Sequence, residues 1–160
     1  YCEKYSSATY TPAESGASSN PLWAVPADAA FPSATQNEIN AQDADNLVAG
    51  GVRLVSEGAN MPTTPEAQDT LVDAGVLLGP GKAANAGGVA VSALEMAQAS
   101  QRLRWTTEEV DKHLRRIMHD IHSVCLEAAN SYGFERDYRH GANIAGFRKV
   151  ADAMLDQGLV

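Results

Sequence analysis

Two short apolar runs, Val52-Arg53-Leu54-Val55 and Val76-Leu77-Leu78, occupy the same place in two successive units of one pattern. Each follows a glycine turn and leads through a polar loop into a helix signal, and this alternation constrains the fold more than any other feature. Upstream, residues 22–32 contain an extended element whose regular part Pro26 and Pro32 keep short. The polar loop Ser33-Ala34-Thr35-Gln36-Asn37-Glu38 follows. Asn40 is placed to cap a helix over about 41–49, with Asp43 in the first turn where the helix dipole favours a negative charge. Gly50-Gly51 ends that helix, and 52–55 is the next strand. After the loop 57–64, Thr64-Pro65-Glu66 supplies a cap, a proline at the first helical position and an acid. The second helix runs to Gly75, and the strand 76–78 follows. The order β-α-β-α-β-α with short turns implies a parallel sheet with right-handed crossovers. The predicted fold class is therefore α/β, a three-stranded Rossmann-like half-sheet followed by a C-terminal helical segment.

In an open parallel sheet, ligands bind beyond the carboxyl ends of the strands. The loops there are 33–38, 57–64 and 79–88, all rich in Gly, Asn, Thr or Gln, whereas the opposite turns are bare glycine. The third loop opens the stretch 79–96, in which Gly79, Gly81, Gly87 and Gly88 permit tight turns and close backbone approach. Asn85 is a good capping type, and Val89 and Ser92, three apart, share a helix face. The expected result is a helix N-terminus whose free N–H groups favour an anion, beside one apolar wall and one hydroxyl. A glycine turn that only packs a helix on a sheet would read the same way.

Several motifs fail on context. Gly79-Pro80-Gly81-Lys82-Ala83-Ala84 matches G-x-G-x-x-A, but it follows the third strand here, and a second glycine loop intervenes before the regular helix. A P-loop fails because Val76 stands where its first glycine belongs and Ala83 follows Lys82. His119 and His122 are i, i+3 on one helix without an evident third metal ligand, so solvated or capping side chains are the simpler reading and no metal is expected. Lys82 reads either as an anion-pairing or catalytic lysine or as a surface lysine. Asn60 reads either as a ligand contact or as a residue holding its own turn. No Ser/His/Asp or Cys/His set has a credible context.

The second half is helical. The stretch after Asn85 continues to about Leu103, and Thr106 with Glu109 forms a capping box. Val110, Leu114, Ile117, Ile121, Val124 and Ala128 then follow at amphipathic spacing, up to Ser131-Tyr132-Gly133. Asn143 is placed to cap a last helix bearing Ile144, Phe147, Val150, Ala151, Met154 and Leu155. Residues 1–21 read as a loop or frayed lead-in.

The 160 residues suffice for one domain with a real core. The formal net charge of −8 argues against nucleic acid or an anionic membrane as the main partner. No apolar run is long enough to span a membrane. Cys2 and Cys125 form neither a metal spacing nor a disulfide framework, so a reduced cytoplasmic setting is expected. The chain begins Tyr1-Cys2-Glu3-Lys4 without an initiator Met, which predicts a processed chain or a piece of a longer one.

Taken together, Ala34-Thr35-Gln36-Asn37-Glu38, Glu57-Gly58-Ala59-Asn60-Met61-Pro62-Thr63-Thr64 and Lys82-Ala83-Ala84-Asn85-Ala86-Gly87-Gly88-Val89, in that order, resemble the hexameric bacterial glutamate dehydrogenases. So does the run Gly141-Ala142-Asn143-Ile144-Ala145-Gly146-Phe147 through Val150-Ala151-Asp152-Ala153-Met154. The likeness covers roughly 23–160 and is nearest to NADP-linked members, with NAD left open. It implies reversible oxidation of L-glutamate to 2-oxoglutarate and ammonia with a nicotinamide cofactor. It implies cofactor contacts at Ala34, Thr35 and Asn60, Asn85 between nicotinamide and substrate, Ser92 on the glutamate side-chain carboxylate and Val89 on the substrate chain. A hydroxyl there suits glutamate better than an apolar amino acid, which would leave it unpaired. The same likeness implies a homo-oligomer, a hexamer, and places the catalytic lysines and aspartate in a substrate domain outside this chain. It divides the chain into a lead-in loop (1–21), the C-terminal part of a coenzyme domain (22–103) and helices closing onto the substrate domain (104–160). Such a piece is expected to be inactive alone, with an exposed edge strand. Two other readings stand beside this one: a non-catalytic α/β binding or interaction module, and a dehydrogenase for another amino acid.

Overall fold

The structure is a computed structural model that describes residues 3–7, 9–12 and 17–158. The rest of the lead-in loop, Cys2 included, lies outside the described residues. Three parallel strands, β1 (Ala29–Ala30), β2 (Leu54–Ser56) and β3 (Leu77–Gly79), lie in the order β1-β2-β3. Helices α1 (Ala41–Ala49) and α2 (Pro65–Asp73) cross between them and cover one face. Ile39, Ala44, Leu47, Val55, Ala67, Leu71 and Leu78 fill that layer, together with Trp23. Burying a side chain such as Leu71 contributes about 1.5–3 kcal/mol. The one-turn α3 (Gly81–Ala84) and the longer α4 (Ala86–Gln101) lead to α5 (Thr107–Ser131) and to α6 (Tyr138–Gln157).

The helix starts are local chemistry. Asn40 and Asp43 form a reciprocal capping box on α1, Thr64 accepts from the Ala67 amide on α2, and Thr106 and Glu109 form a second box on α5. The helix ends explain why both strands begin later than the apolar runs. Gly51 (φ 84°) and Gly75 (φ 77°) take the left-handed conformation, and the amides of Val52 and Val76 donate back to the carbonyls of Leu47 and Leu71. Each pair is buried. Val52 and Val76 therefore close a Schellman end by apolar contact rather than opening a strand.

Three other expectations are corrected. Residues 21–24 form a 3-10 turn with Pro21 at its start, and the extended part of 22–32 shrinks to the two residues of β1. The segment 18–20 is tied down rather than frayed: Ser19 Oγ and the Asn20 amide donate to the buried Asp43 carboxylate (2.7 and 2.9 Å), and Asn40 Nδ2 donates to the Ser18 carbonyl (2.8 Å). The last helix starts at Tyr138, capped by Asp137, so Asn143 lies inside α6.

The edges of the sheet differ. Residues 135–138 stand beside β3, and Arg139 of α6 donates to Asp69 of α2 at 2.6 Å. Lys82 of α3 donates to Asn143 Oδ1. Among the described residues β1 pairs only with β2, and Phe31, just after it, is 63% exposed.

Candidate functional site

The carboxyl-edge loops are sewn together by backbone. The amides of Gly58 and Ala59 donate to the Pro32 carbonyl (2.8 and 3.0 Å), and those of Asn37 and Ile39 donate to Met61 and Pro62 (both 2.9 Å). These bonds join the first loop to the second. The Glu57 amide donates to Gly79 (3.0 Å), and Asn85 Nδ2 donates to the Ala59 carbonyl (3.0 Å), joining the second to the third. Ala34 and Thr35 line a depression with Phe31, Trp23 and Glu38. Asn60 is exposed, and neither its side chain nor the Thr35 hydroxyl has a partner among the described residues.

Several backbone donors at this edge are occupied. The Glu38 carboxylate accepts from the amides of both Ala34 and Thr35 (2.9 and 2.8 Å). The turn α3 precedes α4 directly, so the amides of Ala83 and Ala84 donate to Pro80, and those of Asn85 and Gly88 donate to Gly81 and Asn85. Asn85 stands at the N-cap position of α4, but its side chain makes no cap and reaches across to the second loop instead. On α4, Val89 is 71% exposed, and the exposed Ser92 donates weakly to the Gly88 carbonyl of its own helix (3.3 Å).

Two acidic groups that hold this edge escaped the sequence reading, Glu38 and the almost fully buried Glu57. Glu57 Oε2 accepts from the Gly81 amide at 2.6 Å, and Oε1 accepts from Gln68 Nε2 at 3.3 Å. A charged residue that directly follows an apolar strand was the available signal. Lys82 is exposed and bonded to Asn143. His122 stacks on Tyr138 with ring centroids 5.4 Å apart, and among the described residues no group of three or more His, Cys, Asp or Glu side chains is placed to hold a metal. Burial pushes the Cys125 thiol up, away from the reactive thiolate. No described helix is long and apolar enough to cross a membrane.

The family model for the glutamate/leucine/phenylalanine/valine dehydrogenases matches residues 2–158. The chain belongs to this dehydrogenase family. Among its members, the NADP-specific glutamate dehydrogenase of Haemophilus influenzae is 62% identical over 138 residues, which cover 86% of this chain and 31% of that protein. The Escherichia coli NADP-specific glutamate dehydrogenase is 57% identical over the same length, again 86% of this chain and 31% of that protein. The crystal structure of Plasmodium falciparum glutamate dehydrogenase superposes with a TM-score of 0.90 at 44% identity, over 99% of this chain and 33% of that one. The chain thus spans about a third of the length of the dehydrogenases it matches.

Proposed function

We propose that this chain is part of an NADP-linked glutamate dehydrogenase, which interconverts L-glutamate with 2-oxoglutarate and ammonia in the cytoplasm as a homohexamer. Residues 22–103 form the C-terminal part of its coenzyme domain, and 104–160 close onto a substrate domain beyond this chain. The observation that carries the reading is the joining of loops 33–38, 57–64 and 79–88 at one sheet edge, with Ser92 accessible beside them. Identity of 57–62% to NADP-specific glutamate dehydrogenases supports the choice of substrate and cofactor. NADP, when bound, accepts or returns the hydride. Thr35 and Asn60 fit a polar cofactor, because their side chains are exposed and unpartnered among the described residues, and Ala34 lines the same depression as Thr35. Asn85, held by Ala59, stands between that side and the substrate side. The long bond from Ser92 to Gly88 is readily exchanged for one to the glutamate side-chain carboxylate, while Val89 packs on the substrate chain.

Ser92→Ala in the full-length subunit tests this. We expect kcat/KM for glutamate to fall about tenfold or more, the effect of losing one hydrogen bond to a charged group. Unchanged kinetics would remove Ser92 from the site. The 160-residue chain alone should show weak or no affinity for NADP or a dicarboxylate by calorimetry; tight binding would favour an autonomous binding module.

A further inference from the structure

Glu57 is the group in this molecule whose burial most needs a reason. It directly follows β2 with 2% of its surface exposed. Among the described residues no lysine or arginine pairs with it. Taking a carboxylate out of water without a counter-ion is costly, and glutamine would fill nearly the same space without that cost. What the carboxylate adds is a short charge-assisted bond: Oε2 lies 2.6 Å from the Gly81 amide, and Oε1 accepts from Gln68 of α2.

Gly81 is one of the points where the second and third loops touch. A Cβ there would lie 2.9 Å from the Ala59 carbonyl oxygen, 3.3 Å from Glu57 Oε2 and 3.5 Å from Asn85 Nδ2. The Ala59 carbonyl is also what holds Asn85. The carboxylate, the glycine, the carbonyl and the asparagine therefore form one closed knot, with the charge at its buried end and Asn85 at its open end.

We infer that Glu57 is a positioning residue: its buried carboxylate draws Gly81 against the 57–64 loop and thereby sets where Asn85 stands in the cleft. The kinetic side of this inference rests on the function proposed above, whereas the geometric side does not. Glu57→Gln keeps the volume and can serve one of the two donors, so it separates positioning from folding. Gly81→Ala attacks the same knot from the other side.

The test combines two measurements. In nitrogen-15 spectra of this chain, the Gly81 amide proton should move upfield in Glu57→Gln, and the Asn85 side-chain amide signals should move with it. In the full-length subunit, Glu57→Gln and Gly81→Ala should each lower kcat/KM about tenfold. Glu57→Gln should leave Tm within about 4 °C. A Gly81 signal that ignores Glu57→Gln overturns the inference. So does a Gly81 signal that moves while Asn85 stays still, and so do kinetics that match the unsubstituted subunit. A full-length subunit that does not turn over glutamate refutes the proposed function instead, and the coupled Gly81 and Asn85 signals then decide the inference.

Discussion

Gly141 brings α6 close against the backbone of α5, and replacing it with alanine is a sharp test of their packing. The added Cβ would lie 2.1 Å from the Cys125 carbonyl oxygen, 3.0 Å from the carbonyl carbon and 3.1 Å from Ala129 Cβ. The nearest two atoms are backbone, so no rotamer change relieves them. An ordinary contact needs about 3.5 Å, so α6 must retreat by roughly 1.4 Å from the 2.1 Å contact, and a gap of even about 0.5–1 Å forfeits a quarter to a half of each dispersion contact it opens. Cys125, Ala128 and Ala129 are the buried residues of α5 that lose those contacts. Overpacking of this kind costs about 1–3 kcal/mol, and a clash against backbone belongs at the upper end. The gain in helix propensity returns about 1 kcal/mol, for a net loss of about 2. Gly146, on the same helix, has nothing within 4 Å of its would-be Cβ, so Gly146→Ala should gain about 1 kcal/mol. The two variants, chemically identical, should differ by about 3 kcal/mol. With an m-value of about 2 kcal/mol/M, urea midpoints read by circular dichroism should lie about 1.5 M apart, Gly141→Ala lower. Equal midpoints, or the reverse order, would refute the close packing of the two helices.

Other outcomes follow from single groups. The Thr63 hydroxyl is buried without a partner, so Thr63→Val should raise stability by about 1 kcal/mol in thermal unfolding; a lower Tm would show that the hydroxyl is satisfied. Burial pushes the Asp137 carboxyl up, but hydrogen bonds from the His140 ring and amide, with the charges of His140 and Arg139, outweigh it and hold the carboxyl below the usual carboxylate range. A depressed folded value means that its stabilisation is present above the unfolded carboxylate range and is lost as pH falls through the lower, folded value. Asp137→Ala should therefore cost about 1 kcal/mol near neutral pH, and the deficit should vanish in strong acid; a deficit independent of pH would refute the ionised cap.

The parts legible in the sequence are those decided within a few residues. The cap Asn40, the box Thr106/Glu109 and the start Thr64-Pro65 depend on side chains a few positions apart, and all three stand where expected; Asp43, expected in the first turn, also closes a box with Asn40. The parallel order also followed, because alternation leaves few other topologies. Val52 and Val76 looked like strand residues because an apolar residue closing a helix and one opening a strand are the same letter. Asp137 and Asn143 are both capping types, and Gly141 between them reads as loop until α5 is seen to need the missing Cβ. At the candidate site, topology placed the three loops on one edge. The sequence could not show that Glu38 and Glu57 would occupy the amides there, since those bonds depend on how loops fold back rather than on local pattern.

The open side of β1 carries a consequence for how the groove is finished. A further strand laid parallel there would point its own exit turn the same way as those of β1, β2 and β3. It would come to rest next to Phe31, Ala34 and Thr35 rather than near Ser92. Whatever extends the sheet thus also builds a bank beside Ala34 and Thr35, and the bank at Ser92 must be raised by something reaching across from α4.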